Sequence, residues 1–194
     1  MIKVIPKKNK IAAEIICDVK NLKSAEIKKI KSALNNFGII YFRNQNLSSS
    51  NYLNFAKKLG IPADYPRLKG LNPRYSKITV VERKASDKGP SFGEQFHTDS
   101  IYTKKPPRFT MLLSKLVPKK GLANTEFSSQ YLAYKNLPYN IKKKLKNLKA
   151  IYSSEGPISV TLQERTKEKG KQKNELISKH KIIKKIKKKL TIFC

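Results

Sequence analysis

Several things are scarce in this sequence, and each scarcity narrows the reading. Only two cysteines occur, Cys17 and Cys194. They lie far apart and match no metal-binding or redox spacing, which argues against a zinc module or a disulfide framework and for free thiols in a reducing compartment. No run of apolar residues approaches the roughly 18 needed to cross a bilayer. The start, Met1-Ile2-Lys3-Val4-Ile5-Pro6, has no continuous apolar core of the kind that marks a secretory signal. The expectation is a cytoplasmic protein with no membrane partner. Acidic residues are few, 13 Asp and Glu against 43 Lys and Arg, for a formal net charge of +30. Aromatics thin out towards the end, where Tyr152 is the last tyrosine and Phe193 the only later aromatic residue. A basic tail with so few aromatic side chains between its lysines lacks the stacking platforms of a specific nucleic-acid reader.

What is present fits a globular domain. The 194 residues are 39% hydrophobic, enough for one sizeable core. The lysines are spread along the chain in company with many Ile and Asn, as A/T-rich codons would produce. A basic footprint for nucleic acid or an anionic surface is the competing reading, with 142–189 as its basic segment. Such binding would be non-specific and would weaken steeply with salt.

Periodicity organises the first part. Residues 11–17 read as a strand. A helix follows with Ser24 as its N-cap and Ile27, Ile30 and Leu34 on one face. Gly38 permits a sharp exit into the β-branched and aromatic run Ile39-Ile40-Tyr41-Phe42. A second helix starts in Ser48-Ser49-Ser50 and ends at Gly60. Residues 61–95 read as loop around a strand at 78–81, and 109–117 as a further strand. Helices at 129–137 and 139–148 bury Leu132, Leu137, Leu145 and Leu148. Ile182, Ile183, Ile186 and Leu190 could line a basic amphipathic helix, although a solvated or disordered tail is the preferred reading there.

Chemistry concentrates in Phe96-His97-Thr98-Asp99. Two His and one carboxylate on one octahedral face hold the iron of many non-haem Fe(II) oxygenases. In an extended segment residues i and i+2 point to the same side, so His97 and Asp99 can grip one ion. Taken alone, the pair reads first as an ordinary His–Asp hydrogen bond.

The order of blocks around it resembles the taurine dioxygenase / 2,4-dichlorophenoxyacetate dioxygenase (TauD/TfdA) family over roughly 10–155. Gly38-Ile39-Ile40-Tyr41-Phe42-Arg43-Asn44-Gln45 is similar to its V-x-V-F-R-x-Q strand, and Phe55-Ala56-Lys57-Lys58-Leu59-Gly60 to its F-A-x-x-F-G helix end. Phe96-His97-Thr98-Asp99-Ser100 resembles W-H-T-D-S, with Phe for Trp. Asn124-Thr125-Glu126-Phe127, Ala133-Tyr134 and Leu137-Pro138 resemble N/D-T-E-F … A-Y-x-x-L-P.

The resemblance implies an α+β fold, a double-stranded β-helix (jelly-roll-like) with flanking helices. It assigns His97 and Asp99 to iron and Thr125 to the 2-oxoglutarate carboxylate, where a hydroxyl donates without adding charge. On its own Thr125 reads equally as a turn or capping residue. The implied cofactors are Fe(II), 2-oxoglutarate as cosubstrate and O₂. The implied activity is hydroxylation of a small organic acid or sulfonate with release of succinate and CO₂. No specific nucleic acid is expected as a partner, and homo-oligomerisation is left open.

Family chains run further. Their distal iron His and the Arg that pairs with 2-oxoglutarate have no clear counterpart here. His180, the only other histidine, lies in a Lys-rich segment and reads as solvated or lightly packed rather than as a ligand. Arg165 is the only arginine after 155, and its surroundings do not match. The expectation is a domain incomplete at its C-terminus, with 1–155 as its N-terminal and central part and 156–194 as a basic tail partly disordered or out of family register. Loss of reading frame near 180–194, at the run Lys187-Lys188-Lys189, would account for this. An inactive truncated remnant, or the non-specific basic binder, is the alternative function.

Overall fold

The computed structural model describes residues 2–9, 11–88, 91–155, 174–186 and 189–192. They fall into two compact units, 1–63 and 64–194.

The first unit is built on a three-stranded sheet of order β1-β2-β3. β1 (Lys3–Pro6) runs antiparallel to β2 (Ala12–Ile16), with Val4 opposite Ile15. β3 (Ile39–Tyr41) lies parallel to β2, which requires a crossover. The crossover is α1 (Ser24–Phe37). Its N-cap is Lys23 rather than Ser24, because the Glu26 carboxylate reaches back to accept from the Lys23 backbone N–H at 3.0 Å. Gly38 takes φ +77 and ends the helix as expected. The helix turns Ile30 and Ala33 inward to join Ala13, Ile15, Val19, Leu22 and Phe55 in the core. Burying the whole Ile30 side chain, 0% exposed, contributes about 2 kcal/mol. α2 (Ser49–Leu59) begins where the Ser48 side chain accepts from Asn51 N–H, and it ends at Gly60 in extended conformation.

Gln45 ties this unit together. Its Oε1 accepts from Val19 N–H at 3.2 Å, and its Nε2 donates to the carbonyls of Cys17 at 2.9 Å and Arg43 at 2.8 Å. One side chain therefore joins the end of β2 to the end of β3. Cys17 is a free thiol whose pKa is pushed up by burial and then by Glu26 and Asp18, the opposite of a reactive cysteine. Cys194 lies outside the described residues.

The second unit has less regular structure. α3 (Gln130–Asn136) and α4 (Tyr139–Leu145) form where helices were expected, split by Pro138. Leu137 and Leu145 are half-buried, but Leu132 and Leu148 are exposed, contrary to expectation. β4 (Lys149–Ser153) pairs antiparallel with β5 (Ile177–Lys181), and β6 (Ile183–Ile186) with β7 (Lys189–Ile192).

Neither the solvated tail preferred over 182–190 nor the alternative amphipathic helix is found, and strands form instead. Ile182-Ile183 and Ile186 carry β-branched side chains, and the ladder between β6 and β7 favours the extended form. The strands expected at 78–81 and 109–117 are not formed. Strand propensity is realised only against a neighbouring strand, and neither segment has a ladder partner among the described residues. Leu112 and Leu116 accordingly stand 73% and 95% exposed. The stretch 156–173, with Arg165 and the start of the expected tail, lies outside the described residues.

Candidate metal and cosubstrate site

His97 and Asp99 lie in irregular backbone rather than in a strand, yet their side chains meet. Nε2 of His97 is 3.1 Å from Oδ1 of Asp99, and both side chains are about one-third exposed, at 32% and 38%. The other ring nitrogen, Nδ1, is 2.6 Å from the carbonyl oxygen of Gln95. A carbonyl only accepts, so Nδ1 carries the proton and donates. Nε2 then presents either a second proton or its lone pair to the carboxylate. Two electron-rich atoms at this separation need a positive charge between or beside them, which a proton or a metal cation can supply.

The donor set suits a metal. Nitrogen and oxygen donors held at about 2.1 Å on adjacent octahedral positions lie about 3 Å apart, close to the observed separation. A His whose second N–H is fixed by a carbonyl is also the usual arrangement behind a metal-ligating imidazole.

Gly93 shapes the approach to the ring. It adopts φ +71, and a Cβ placed there would lie 3.3 Å from Cε1 and 3.9 Å from Nε2 of His97. The positive φ disfavours a residue with a side chain, and a Cβ there would crowd the edge of the ring. Close by, Tyr65 has its phenol pushed far above the ordinary range, first by burial, then by Tyr102, with the Asp99 carboxylate adding to the shift and Arg67 opposing it. Tyr65 is thus a neutral hydroxyl in the surroundings of Asp99. Arg67 is buried, with Nη1 3.4 Å from Ser154 Oγ and 3.3 Å from Glu155 Oε1.

Thr125 lies in the exposed stretch 121–128, just after Ala123 at φ +50, and no hydrogen bond joins it to His97 or Asp99. No third His, Cys, Asp or Glu joins the pair among the described residues. His180 is engaged elsewhere, its Nε2 lying 3.0 Å from each of the carbonyl oxygens of Ile101 and Thr103. Gly93, the Gln95 carbonyl and Tyr65 were not legible as site residues. A glycine four positions before His97 was the one available signal.

The profile of the Taurine catabolism dioxygenase TauD, TfdA family matches residues 3–190. The chain belongs to that family. It is 28% identical over 145 residues to the alpha-ketoglutarate-dependent 2,4-dichlorophenoxyacetate dioxygenase of Cupriavidus pinatubonensis, a match covering 66% of this chain and 50% of the relative. It is 24% identical over 135 residues to pentalenolactone F synthase of Streptomyces avermitilis, covering 66% and 44%. The chain thus spans about half the length of the curated relatives it matches.

Solved structures agree on the fold. A taurine dioxygenase from Burkholderia xenovorans superposes with TM-score 0.69 at 17% identity, covering 99% of this chain and 62% of that one. AAD-2, solved with Mn(II) and N-oxalylglycine, superposes with TM-score 0.70 at 16% identity, covering 100% and 69%. The fold is that of the TauD-type dioxygenases, with helices and sheets both present. No helix among the described residues is long and apolar enough to cross a membrane.

Proposed function

We propose that this chain is an Fe(II)- and 2-oxoglutarate-dependent oxygenase of the TauD/TfdA type. His97 and Asp99 would supply two of the iron's protein ligands. The observation that carries the reading is the orientation of His97. Its Nδ1–H is committed to the Gln95 carbonyl, and its Nε2 faces Oδ1 of Asp99 at 3.1 Å. The relatives' names, and the Mn(II) and N-oxalylglycine bound to AAD-2, support the same chemistry.

When bound, iron with 2-oxoglutarate and O₂ would supply oxidative decarboxylation to succinate and CO₂, coupled to hydroxylation of a small organic acid or sulfonate. The chain's own residues do the rest. The Gln95 carbonyl fixes the imidazole tautomer, Asp99 contributes negative charge that favours a divalent cation, and Gly93 leaves room beside the ring. Thr125 is proposed to donate its hydroxyl to a carboxylate of 2-oxoglutarate. The Tyr65 phenol, kept neutral by its burial and by its interaction with Tyr102, adds no charge beside Asp99. The architecture is proposed to be the double-stranded β-helix of the family, with 1–155 as its N-terminal and central part.

A second reading is a chain that holds metal without turnover. It is favoured by the pair being two donors among the described residues, where catalytic sites commonly have three. The test is anaerobic titration with Fe(II), followed by addition of O₂ and 2-oxoglutarate and measurement of succinate. Saturable Fe(II) binding with succinate formation supports the oxygenase. Binding without succinate leaves the second reading. No Fe(II) binding by the wild-type chain overturns both.

A further inference from the structure

β5 carries two polar side chains that no part of the proposed chemistry uses. Ser178 and His180 are two residues apart on one strand and so project from the same face. Opposite them in the β4–β5 ladder stand Tyr152 and Ala150, and the Tyr152 ring lies 5.9 Å from that of His180, tilted by 43°. Both side chains reach a loop distant in sequence. His180 Nε2 is 3.0 Å from the Ile101 carbonyl and 3.0 Å from the Thr103 carbonyl. Ser178 Oγ is 3.0 Å from the Thr103 carbonyl, 3.5 Å from that of Ile101 and 2.5 Å from His180 Nε2.

Carbonyl oxygens only accept, which fixes the donors. Nε2 carries a proton directed at the Ser178 Oγ and at the two carbonyls, and the Ser178 hydroxyl accepts from it while donating its own proton to Thr103. Ser178 is buried, so these bonds are shielded from competing water.

The loop they hold starts at Asp99. Ser100 follows it, buried and at φ +49, a left-handed conformation unfavourable for a residue with a side chain. The turn closes on itself, with Thr103 N–H donating to Ser100 O at 3.0 Å and Thr103 Oγ1 to the same oxygen at 2.8 Å. Such a conformation persists only when its surroundings over-determine it. The turn's outward carbonyls, Ile101 and Thr103, are the two that β5 takes up.

We propose that Ser178 and His180 form a clip that fixes the 100–103 turn and thereby sets the backbone from which Asp99 faces His97. They are positioning residues, acting through Ile101 and Thr103 and not through the metal. The proposal rests on the reading of His97 and Asp99 as metal ligands, and it adds a part of the chain about 80 residues away to that site.

The test uses the full chain with three variants, His180→Ala, His180→Gln and Ser178→Ala, and two readouts. The first is hydrogen exchange of the amides at 100–104 without metal, where Thr103 N–H reports the turn. The second is anaerobic titration with Co(II) alone. His180→Ala is expected to speed exchange in the turn at least about tenfold and to weaken Co(II) by about ten- to a hundredfold, the usual effect of losing an outer-shell partner. His180→Gln, which keeps N–H donors for the carbonyls, is expected to restore both within about threefold.

Unchanged exchange at 100–104 in His180→Ala, with β4–β5 protection intact, overturns the proposal. If His180→Ala loses β4–β5 protection as well, Ser178→Ala decides. Loosening confined to the turn in Ser178→Ala supports the clip, and no loosening there overturns it. A wild-type chain that binds no Co(II) but shows the expected exchange pattern sinks the metal reading and leaves the clip standing.

Discussion

The Gln95 carbonyl oxygen lies 2.6 Å from Nδ1 of His97, and this backbone atom decides which face of the imidazole is available to a ligand. With Nδ1 committed, Nε2 and the Asp99 carboxylate form one electron-rich opening. His97→Ala and Asp99→Ala should each reduce Fe(II) affinity by at least about tenfold, read by anaerobic titration. Full affinity in either variant would remove the assignment of that residue.

A side chain at Gly93 should crowd His97. Gly93→Ala places a Cβ 3.3 Å from His97 Cε1 on a backbone at φ +71. The expected result is weaker metal binding, with a stability loss of about 1 kcal/mol or more from the backbone strain. Unaltered Fe(II) affinity in a folded Gly93→Ala chain would show that the ring does not need this space.

Gln45 should matter for stability and not for metal. Gln45→Leu strips partners from Val19 N–H and from the carbonyls of Cys17 and Arg43. Unpaired buried groups cost about 1–3 kcal/mol each, reduced here because the sites are only partly buried. Urea denaturation should show a lower midpoint, and hydrogen exchange should show loss of protection in β2 and β3. An unchanged midpoint would mean that water replaces the amide at no net cost.

Tyr52, half-buried on α2, has its phenol pushed up to about 12 by burial. An unfolded tyrosine ionises near about 10. Between these values the unfolded chain loses its proton first, so the contribution of Tyr52 to stability falls as pH rises from about 10 to about 12 and is flat below that window. Difference ultraviolet titration of the wild-type chain against Tyr52→Phe should isolate one late-ionising phenol among the nine tyrosines. A phenol titrating near 10 would contradict the burial.

Legibility in the sequence followed the range of the interactions. α1 and α2 were readable because their apolar spacing and caps are local, although the α1 cap shifted by one residue when the Glu26 carboxylate, not the Ser24 hydroxyl, took the free N–H. The strands expected at 78–81 and 109–117 failed because β-branched residues only permit a strand, and the ladder that makes one comes from elsewhere. The same Ile and Lys residues near 182–190 fit a helix face and a hairpin equally, and pairing between β6 and β7 decided for the hairpin. His97 and Asp99 meet although the strand whose alternation was to bring them together does not form. Gln95 contributes through a backbone oxygen whose direction no side-chain pattern encodes. Thr125 was reached through the resemblance alone.

The spacing of His97 and Asp99 has a thermodynamic consequence. Two donors separated by one residue form a short chelate arm, and bringing its ends together costs far less chain entropy than closing a loop to a distant ligand. Under the proposed assignment, part of the metal affinity would be carried by a few consecutive residues and would outlast the tertiary structure. A chain melted by heat or urea should still retain weak metal capture at 97–99, as a short peptide of that sequence would, while the geometry that the surrounding fold imposes on the ion disappears with the fold.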